Sequence, residues 1–491
     1  MQKRANLKRR AVLVATIAMA ALTAVPAIHS VAQALRPTAN VRDYGAVGNG
    51  RTNDSAAIQR ANDAVARAGG GVVFFPAGTY IAANVRQDSN VEFTGNGDAT
   101  LKHPDGVSNV HIVRGRVFTK KASIVEGSNL LWVSDTKGVL PGAVVGIRGA
   151  GGASPVQTAT LSISVTQQAS TLQAAQGSEW GKNINYLLVE NEIVAYNGVS
   201  NGIFLNVKRG LFGTRAAIHL RGARVSQLSV LYARVDSVGN GWIRLDRVAT
   251  QGVQGSEARV GSINMAVRGL VMDGSRAPGG SKNNPLPLKY ELARWLTIEG
   301  NTIRNGDHGA VSLDMGTSDS VIANNVLFDT GAPDERMGSA VWLFRGATGV
   351  TVRDNEIGGV SRDGITIDDR TTASSEWDAL SEGNLVQANR IDIPVLPGNA
   401  GIFVAGSNRN EVADNDVSSM FRGIAVVIST QGLVPGDSEG NLVHDNRVSG
   451  HSWAIHVTGS YNVFERNEIT AAMRPIVDNG FGNRFFENWV Q

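Results

Sequence analysis

The hydrophobic pattern changes period along the chain, and each change marks a different kind of element. Early on, Ile58, Ala61, Val65 and Ala68 recur at i, i+3, i+7 and i+10, one face of an amphipathic helix. Asp54 or Ser55 stands where a helix cap is needed, and Gly69-Gly70-Gly71 ends the helix. "VVFF" then reads as a buried strand, and "PAGTY" turns out of it. One short helix followed at once by strands suits the end cap of a stacked β structure, whose open edge needs covering.

From residue 229 onward the period is two, broken by Gly turns, and the chain repeats itself. "EGNTIRN", "ANNVLFD", "RDNEIGG", "QANRIDI", "ADNDVSS", "HDNRVSG", "ERNEITA" and "FENWVQ" are variants of one unit. Their aligned asparagines are Asn301, Asn325, Asn355, Asn389, Asn415, Asn446, Asn467 and Asn488, with spacings of 24, 30, 34, 26, 31, 21 and 21. A repeat in the low twenties predicts one solenoid coil per unit. The asparagines are expected to stack at a turn, where Asn tolerates the left-handed conformation and its amide bonds to the next coil.

The strands after each turn align as "AVSLDMG", "AVWLFRG", "GITIDDR", "GIFVAGS", "GIAVVIS" and "AIHVTGS". Alternation sends Val311, Leu313, Val341, Leu343, Ile365 and Ile367 inward. It sends Ser312, Asp314, Trp342, Phe344, Thr366 and Asp368 outward, and His456 onto the same outward face as a surface residue. Residues 122–228 do not fit this repeat. They read as short strands around Pro-Gly and Asn-Gly turns, an inserted small β domain between the cap with its first coils (35–121) and the repeats (229–491). The Glu190, Glu192, Tyr196 and Arg209 cluster in the insert reads as strand-face polarity.

Residues 1–34 have the form of a secretory signal: Lys3, Arg4, Lys8, Arg9 and Arg10, an apolar run, then Ala32-Gln33-Ala34. The expected location is extracellular or periplasmic, with no membrane association once the signal is removed. Cysteine is absent, which excludes disulfides and thiolate metal sites. The chain has 46 basic and 43 acidic residues; the signal holds five basic residues and no acid, so the rest carries 41 against 43. Such a balance gives no sign of a nucleic-acid partner.

The candidate chemistry lies in the long coils. The coil from Asn325 exceeds the 21-residue minimum by nine residues and that from Asn355 by thirteen. Long loops on a rigid scaffold are where binding and catalysis concentrate. Asp314 and Asp368 fall in one outward column two coils apart, about 9–10 Å at the interstrand spacing. An inverting glycosidase needs two carboxyls about 6.5–9.5 Å apart. Asp314, Asp368 and Asp369 are therefore the expected catalytic acids, with His308 in the turn beside Asp314. Trp342, Phe344, Arg345, Arg370, Asp307 and Asp363 are the expected substrate-binding residues. No residues are assigned to a metal.

"DYGAVGNGRTNDSAAIQRA" followed by "GGGVVFFPAGTY" resembles the opening of the pectate-lyase-like superfamily of polygalacturonases, rhamnogalacturonases, mannuronan epimerases and phage tailspikes. The insert resembles a small β module of phage tail and secreted bacterial proteins. The resemblance implies an all-β fold, a right-handed parallel β-helix with an N-terminal capping helix and an inserted small β domain. It implies a polysaccharide as partner. Asp368-Asp369 resembles the polygalacturonase Asp-Asp pair, but that family's Asn-Thr-Asp, Gly-His-Gly and Arg-Ile-Lys are missing, as is the epimerases' Asp-Pro-His-Glu. The expected activity is secreted polysaccharide cleavage by inverting hydrolysis, which requires no cofactor. The alternatives are β-elimination or C5-epimerisation on a uronate polymer, where calcium enters with a lyase and Asp314, Asp368, Asp369 and Arg345 around it, and a non-catalytic glycan-binding surface protein.

Overall fold

The computed structural model describes residues 36–105, 111–175, 184–212, 214–275, 286–331, 338–368, 379–393, 400–419, 421–427, 438–450, 452–470 and 472–491. The expected signal (1–34), Asp369 and Arg370 lie outside these residues. Alternating apolar positions assemble into three long parallel sheets of 12, 12 and 10 strands. Each full coil gives one strand to each sheet, as Thr351–Arg353, Glu356–Gly358 and Asp363–Asp368 do in turn. The architecture is a right-handed parallel β-helix, the hand that crossovers between parallel strands favour. The predicted inward residues Val311, Leu313, Val341, Leu343, Ile365 and Ile367 are all fully buried in one continuous core.

The capping helix is Ser55–Arg67, and Ile58, Ala61 and Val65 are buried as the pattern requires. Ala68 is exposed because the helix has ended there. Asp54 occupies the N-cap, but its carboxylate serves a neighbouring loop and accepts the backbone N–H of Val47 (2.7 Å) and Gly48 (3.2 Å). The helix packs on the first strands of the stack, including Gly71–Phe74 and Val85–Gln87.

All eight aligned asparagines stack as a ladder between the first and second sheets. Asn355 shows the unit: its backbone N–H and its Nδ2 both donate to Asn389 Oδ1 (3.1 and 2.9 Å). Its Nδ2 also donates to the Ile322 carbonyl (3.0 Å), and its Oδ1 accepts from Asn325 N and Nδ2. The left-handed residue of each turn is the one before the asparagine: Asn324, Asp354, Ala388, Asp414 and Asp445 have φ of 55°, 55°, 54°, 55° and 54°. The asparagines are thus selected for the buried amide and not for backbone freedom. A second ladder, Asn384, Asn410, Asn441, Asn462 and Asn483, runs parallel to it.

Between Gly115 and Ala266 the chain leaves the stack. Six strands, Phe118–Ile124, Leu130–Val133, Val144–Ile147, Leu231–Gly239, Trp242–Leu245 and Val253–Val260, close into a barrel with its own core. An eight-stranded antiparallel sheet is strung between its third and fourth strands, with a separate core. The expected return to the coils at 229 is therefore too early, because Leu231–Val260 completes the barrel. A period of two reports that a strand has one buried face; it carries no information about which sheet supplies the partner. The polar cluster of the insert is also more than face polarity. Glu192 is 2% exposed, takes Arg209 bidentately (2.7 and 2.7 Å) and accepts His219 Nε2 (2.8 Å).

Candidate active site

The third sheet carries the predicted columns on its outer face. Glu291 pairs in register with Asp314, and Phe344 with Asp368. Phe344 thus stands on the rung between the two aspartates, as the alternation predicts. The face is much less solvated than expected: Asp314 is 3% exposed, Asp368 1% and Phe344 9%. Trp342 and Phe344 lie 5.0 Å apart at a 35° tilt, and the Arg345 guanidinium sits 4.5 Å over the Phe344 ring. Arg345 has φ 49°, which ends the strand and turns its side chain back across the column.

Asp314 is the centre of a charged cluster. Its Oδ1 accepts the Met315 N–H (2.8 Å), and its Oδ2 faces Lys289 Nζ (3.6 Å) and Arg345 NH1 (3.8 Å). Lys289 Nζ also pairs with Glu291 Oε1 at 3.0 Å. The two carboxyls can be no further apart, oxygen to oxygen, than these two contacts end to end, about 6.6 Å. Burial pushes Asp314 above the ordinary aspartate range, and Arg345 and Lys289 only partly offset it. Burial also acts on Glu291, but there the Lys289 ammonium wins and the carboxyl is held below its usual range. Glu291, Arg114 and Arg86 line a cavity of about 310 Å³ together with Thr119 and Arg259 from the barrel.

The other predicted residues divide. His308 and Asp314 flank a strand, Gly309–Asp314, so they stand at its opposite ends, about 20 Å apart at the strand rise. His308 is therefore not beside Asp314. Asp307, 5% exposed, lies at the His308 end. Asp363 is fully buried and ties neighbouring strands: its Oδ1 accepts Ala400 N–H (2.9 Å), its Oδ2 accepts Thr366 Oγ1 (3.4 Å), and Arg362 pairs with it at 3.3 Å. These bonds make Asp363 a clasp between neighbouring coils. His456 is 8% exposed, not on the surface, and burial together with Arg422 lowers it to about 4.

Lys289, Glu291, Arg86, Arg114 and Arg259 went unnoticed in the sequence. "LKYE" (288–291) has the alternation that would have placed Lys289 and Glu291 outward, one coil before the first aligned strand. Arg86 and Arg114 precede the insert and Arg259 lies within it, so no repeat spacing links them to Asp314. Calcium does not fit at Asp314, whose carboxylate already faces two cationic side chains. Among the described residues no group of three or more carboxylate or histidine side chains is placed to hold a metal. No described helix is long and apolar enough to cross a membrane.

The barrel is seated against the end of the third sheet that carries Asp314. Tyr232 packs on the turn glycine Gly316, where an added Cβ would stand 2.7 Å from its ring. Arg234 pairs with Asp319 (3.1 Å), Arg294 donates to the Gly142 carbonyl (3.1 Å), and Val144, Val230, Leu292 and Met315 form a small apolar cluster across the junction.

Comparison with known proteins places this architecture. Residues 38–208 match the model described as rhamnogalacturonase A/epimerase, pectate lyase-like, and residues 343–490 match that of the periplasmic copper-binding protein NosD. Mannuronan C5-epimerase AlgE2 of Azotobacter vinelandii is 38% identical over 104 residues, which is 21% of this chain and 9% of the epimerase. Alginate lyase 7 of the same organism is 35% identical over 104 residues, 21% of this chain and 10% of the lyase. The chain thus aligns with a tenth or less of the length of these relatives. The solved structure of Geobacillus virus E2 ORF18 superposes with a TM-score of 0.51 at 12% identity, covering 92% of this chain and 61% of the viral one. The rhamnogalacturonase A/epimerase match takes in the capping helix, the first coils of the right-handed parallel β-helix and part of the insert.

Proposed function

We propose that this protein is an enzyme that cleaves a polysaccharide lying along the outer face of the third sheet, with the Asp314–Lys289–Glu291 cluster as its acid–base centre. The observation that carries this reading is the opposite displacement of two neighbouring carboxyls. Burial raises Asp314 above the ordinary aspartate range, and Lys289 holds Glu291 below the ordinary glutamate range. Environments that push two carboxyls apart are how one site supplies an acid and a base at the same pH. In hydrolysis, Asp314 carries the proton destined for the glycosidic oxygen, and Glu291, which opens into the cavity, takes a proton from water. Glu291 thereby replaces Asp368 as the expected partner of Asp314. Trp342 and Phe344 supply the apolar face on which a sugar ring rests.

A second reading, β-elimination or epimerisation at a uronate, is favoured by the names of the curated relatives and by the cations around Asp314. There Lys289 and Arg345 neutralise the sugar carboxylate while a proton is removed next to it. The basic-then-apolar residues 1–34 support export, which would bring the protein to such polymers.

The full chain is incubated with a panel of neutral and uronate polysaccharides while reducing ends and the ultraviolet absorbance of unsaturated uronates are followed. Hydrolysis gives reducing ends alone, and β-elimination gives both signals. C5-epimerisation gives neither signal and is followed instead by the change in uronate composition in the proton NMR spectrum; no change by any of these readouts on any polymer returns the protein to a glycan-binding role. Asp314→Asn and Glu291→Gln should each lower kcat by about 10²–10⁴, the range of general acid–base catalysis. Full activity in both variants would remove the centre from this cluster.

A further inference from the structure

The eight-stranded sheet of the insert ends in a tip that is both basic and apolar. From Ile193 to Val235 the chain holds six basic residues and no acid. Two of the six are engaged within the protein, Arg209 by Glu192 and Arg234 by Asp319. The other four, Lys208, Arg215, Arg221 and Arg224, are exposed, and among the described residues no carboxylate pairs with them. Three aliphatic side chains share the region: Ile163 is 53% exposed, Ile218 63% and Leu220 69%. Backbone contacts bring the two segments together. Val165 and His219 bridge antiparallel, the Arg221 N–H donates to Ser164 Oγ (2.9 Å), and the Gly222 N–H donates to the Leu161 carbonyl (2.8 Å). Residues 161–165 therefore run beside residues 218–222, and the aliphatics and Arg221 lie in one patch. The carboxylate that reaches this tip, Glu190, is already engaged by His219 Nδ1 (2.7 Å).

Position and chemistry together narrow the partner. Ala153 pairs with Leu228 where the sheet leaves the barrel, and Thr160 pairs with Arg224 four residues, about 14 Å, further out. The patch lies beyond that far end and is left uncovered. Cations alone suit any soluble polyanion, but solvent-facing aliphatics gain nothing from one. Sugar rings stack on aromatic faces, and the exposed apolar residues of this tip are all aliphatic. A specific protein interface takes about 20–30 residues a side, several times what the tip offers. The surface of an anionic bilayer meets both needs. Its headgroups complement the arginines, and its acyl boundary takes side chains that water does not favour.

We propose that the distal tip of the insert docks on an anionic lipid surface, with Ile163, Ile218 and Leu220 in the interface and Arg215, Arg221 and Arg224 on the headgroup phosphates. The protein is thereby held at a membrane without spanning it, contrary to the expectation that the exported chain keeps clear of membranes. The proposal is independent of where a polysaccharide is cleaved. Flotation of the full chain with vesicles of phosphatidylcholine alone, and of equal parts phosphatidylcholine and phosphatidylglycerol, tests it. The anionic vesicles should bind ten-fold or more tighter than the neutral ones, and the difference should shrink as salt is raised. The double variant Ile218→Ser, Leu220→Ser should weaken that binding ten-fold or more at an unchanged melting temperature, and so should Arg215→Gln, Arg221→Gln. Three results would overturn the proposal. The first is equal or absent binding to the two kinds of vesicle. The second is a loss in the arginine variant with none in the aliphatic one, which would make the tip a site for soluble polyanions. The third is self-association of the chain in gel filtration that the aliphatic variant abolishes, which would make a second copy the occupant.

Discussion

Replacing Asn355 by Ala should cost the β-helix about 3–4 kcal/mol, far more than its size suggests. The amide donates from Nδ2 to Asn389 Oδ1, to the Ile322 carbonyl and to the Arg353 carbonyl, and accepts from Asn325 N and Nδ2. Asn325 Nδ2 retains its bond to the Ile298 carbonyl, and Asn389 Oδ1 retains the Asn355 N–H. The Asn325 backbone N–H, however, loses its acceptor at a residue 1% exposed. One or two net hydrogen bonds are worth about 1 kcal/mol each, and an orphaned buried donor costs roughly 1–3 more. The control is Asn324→Ala, one residue earlier. Asn324 is exposed, makes one long 3.5 Å contact to Glu299, and needs only its φ of 55°. That substitution should cost about 1 kcal/mol. Urea unfolding followed by circular dichroism compares the two midpoints. Hydrogen exchange should show the loss confined to the coils on either side of residue 355, because a solenoid coil is supported by its neighbours. A loss below about 1 kcal/mol, or equal losses in the two variants, would show that the ladder is a passenger of the sheets and not one of their supports.

The pH dependence of activity should have an alkaline limb set by Asp314. Its raised folded value means that the protonated form is present below that value and is lost as pH rises through it, so kcat declines above the ordinary carboxylate range; a flat profile there would remove Asp314 as proton donor. In acid, one half-buried and one buried histidine oppose folding. His111 and His456 are lowered from 6.5 to about 4 by burial, so their contribution is complete above pH 6.5 and is lost as pH falls toward 4. His456→Gln should flatten the fall in melting temperature over that window, and an unaltered slope would contradict the assignment. Gly316→Val should loosen the barrel from the β-helix, since φ is 75° and a Cβ would meet Tyr232 at 2.7 Å. Limited proteolysis at the barrel's junctions with the stack should accelerate while the coils stay protected, and unaltered cleavage would show that the contact is dispensable.

The sequence by itself determined everything that depends on local period. Alternation chose which side chains entered the core, the apolar face of residues 58–65 made the capping helix, and the repeated asparagines marked the coils. Each of these is imposed by geometry within a few residues of the position concerned. It also placed Asp314 and Asp368 in one column with an aromatic rung between, since register follows once the coils are counted. Only the tertiary structure decided which residues keep Asp314 company. Lys289 reaches it from the preceding coil and Arg345 folds back from a left-handed turn, while His308, close in sequence, is carried to the far end of an extended strand. The barrel was decided in the same way. Val253–Val260 has the alternation of a coil strand, yet pairs with Phe118–Ile124 more than a hundred residues earlier. A strand's own residues specify its buried face, but the edge on which its backbone closes is settled by whichever partner the rest of the fold brings alongside.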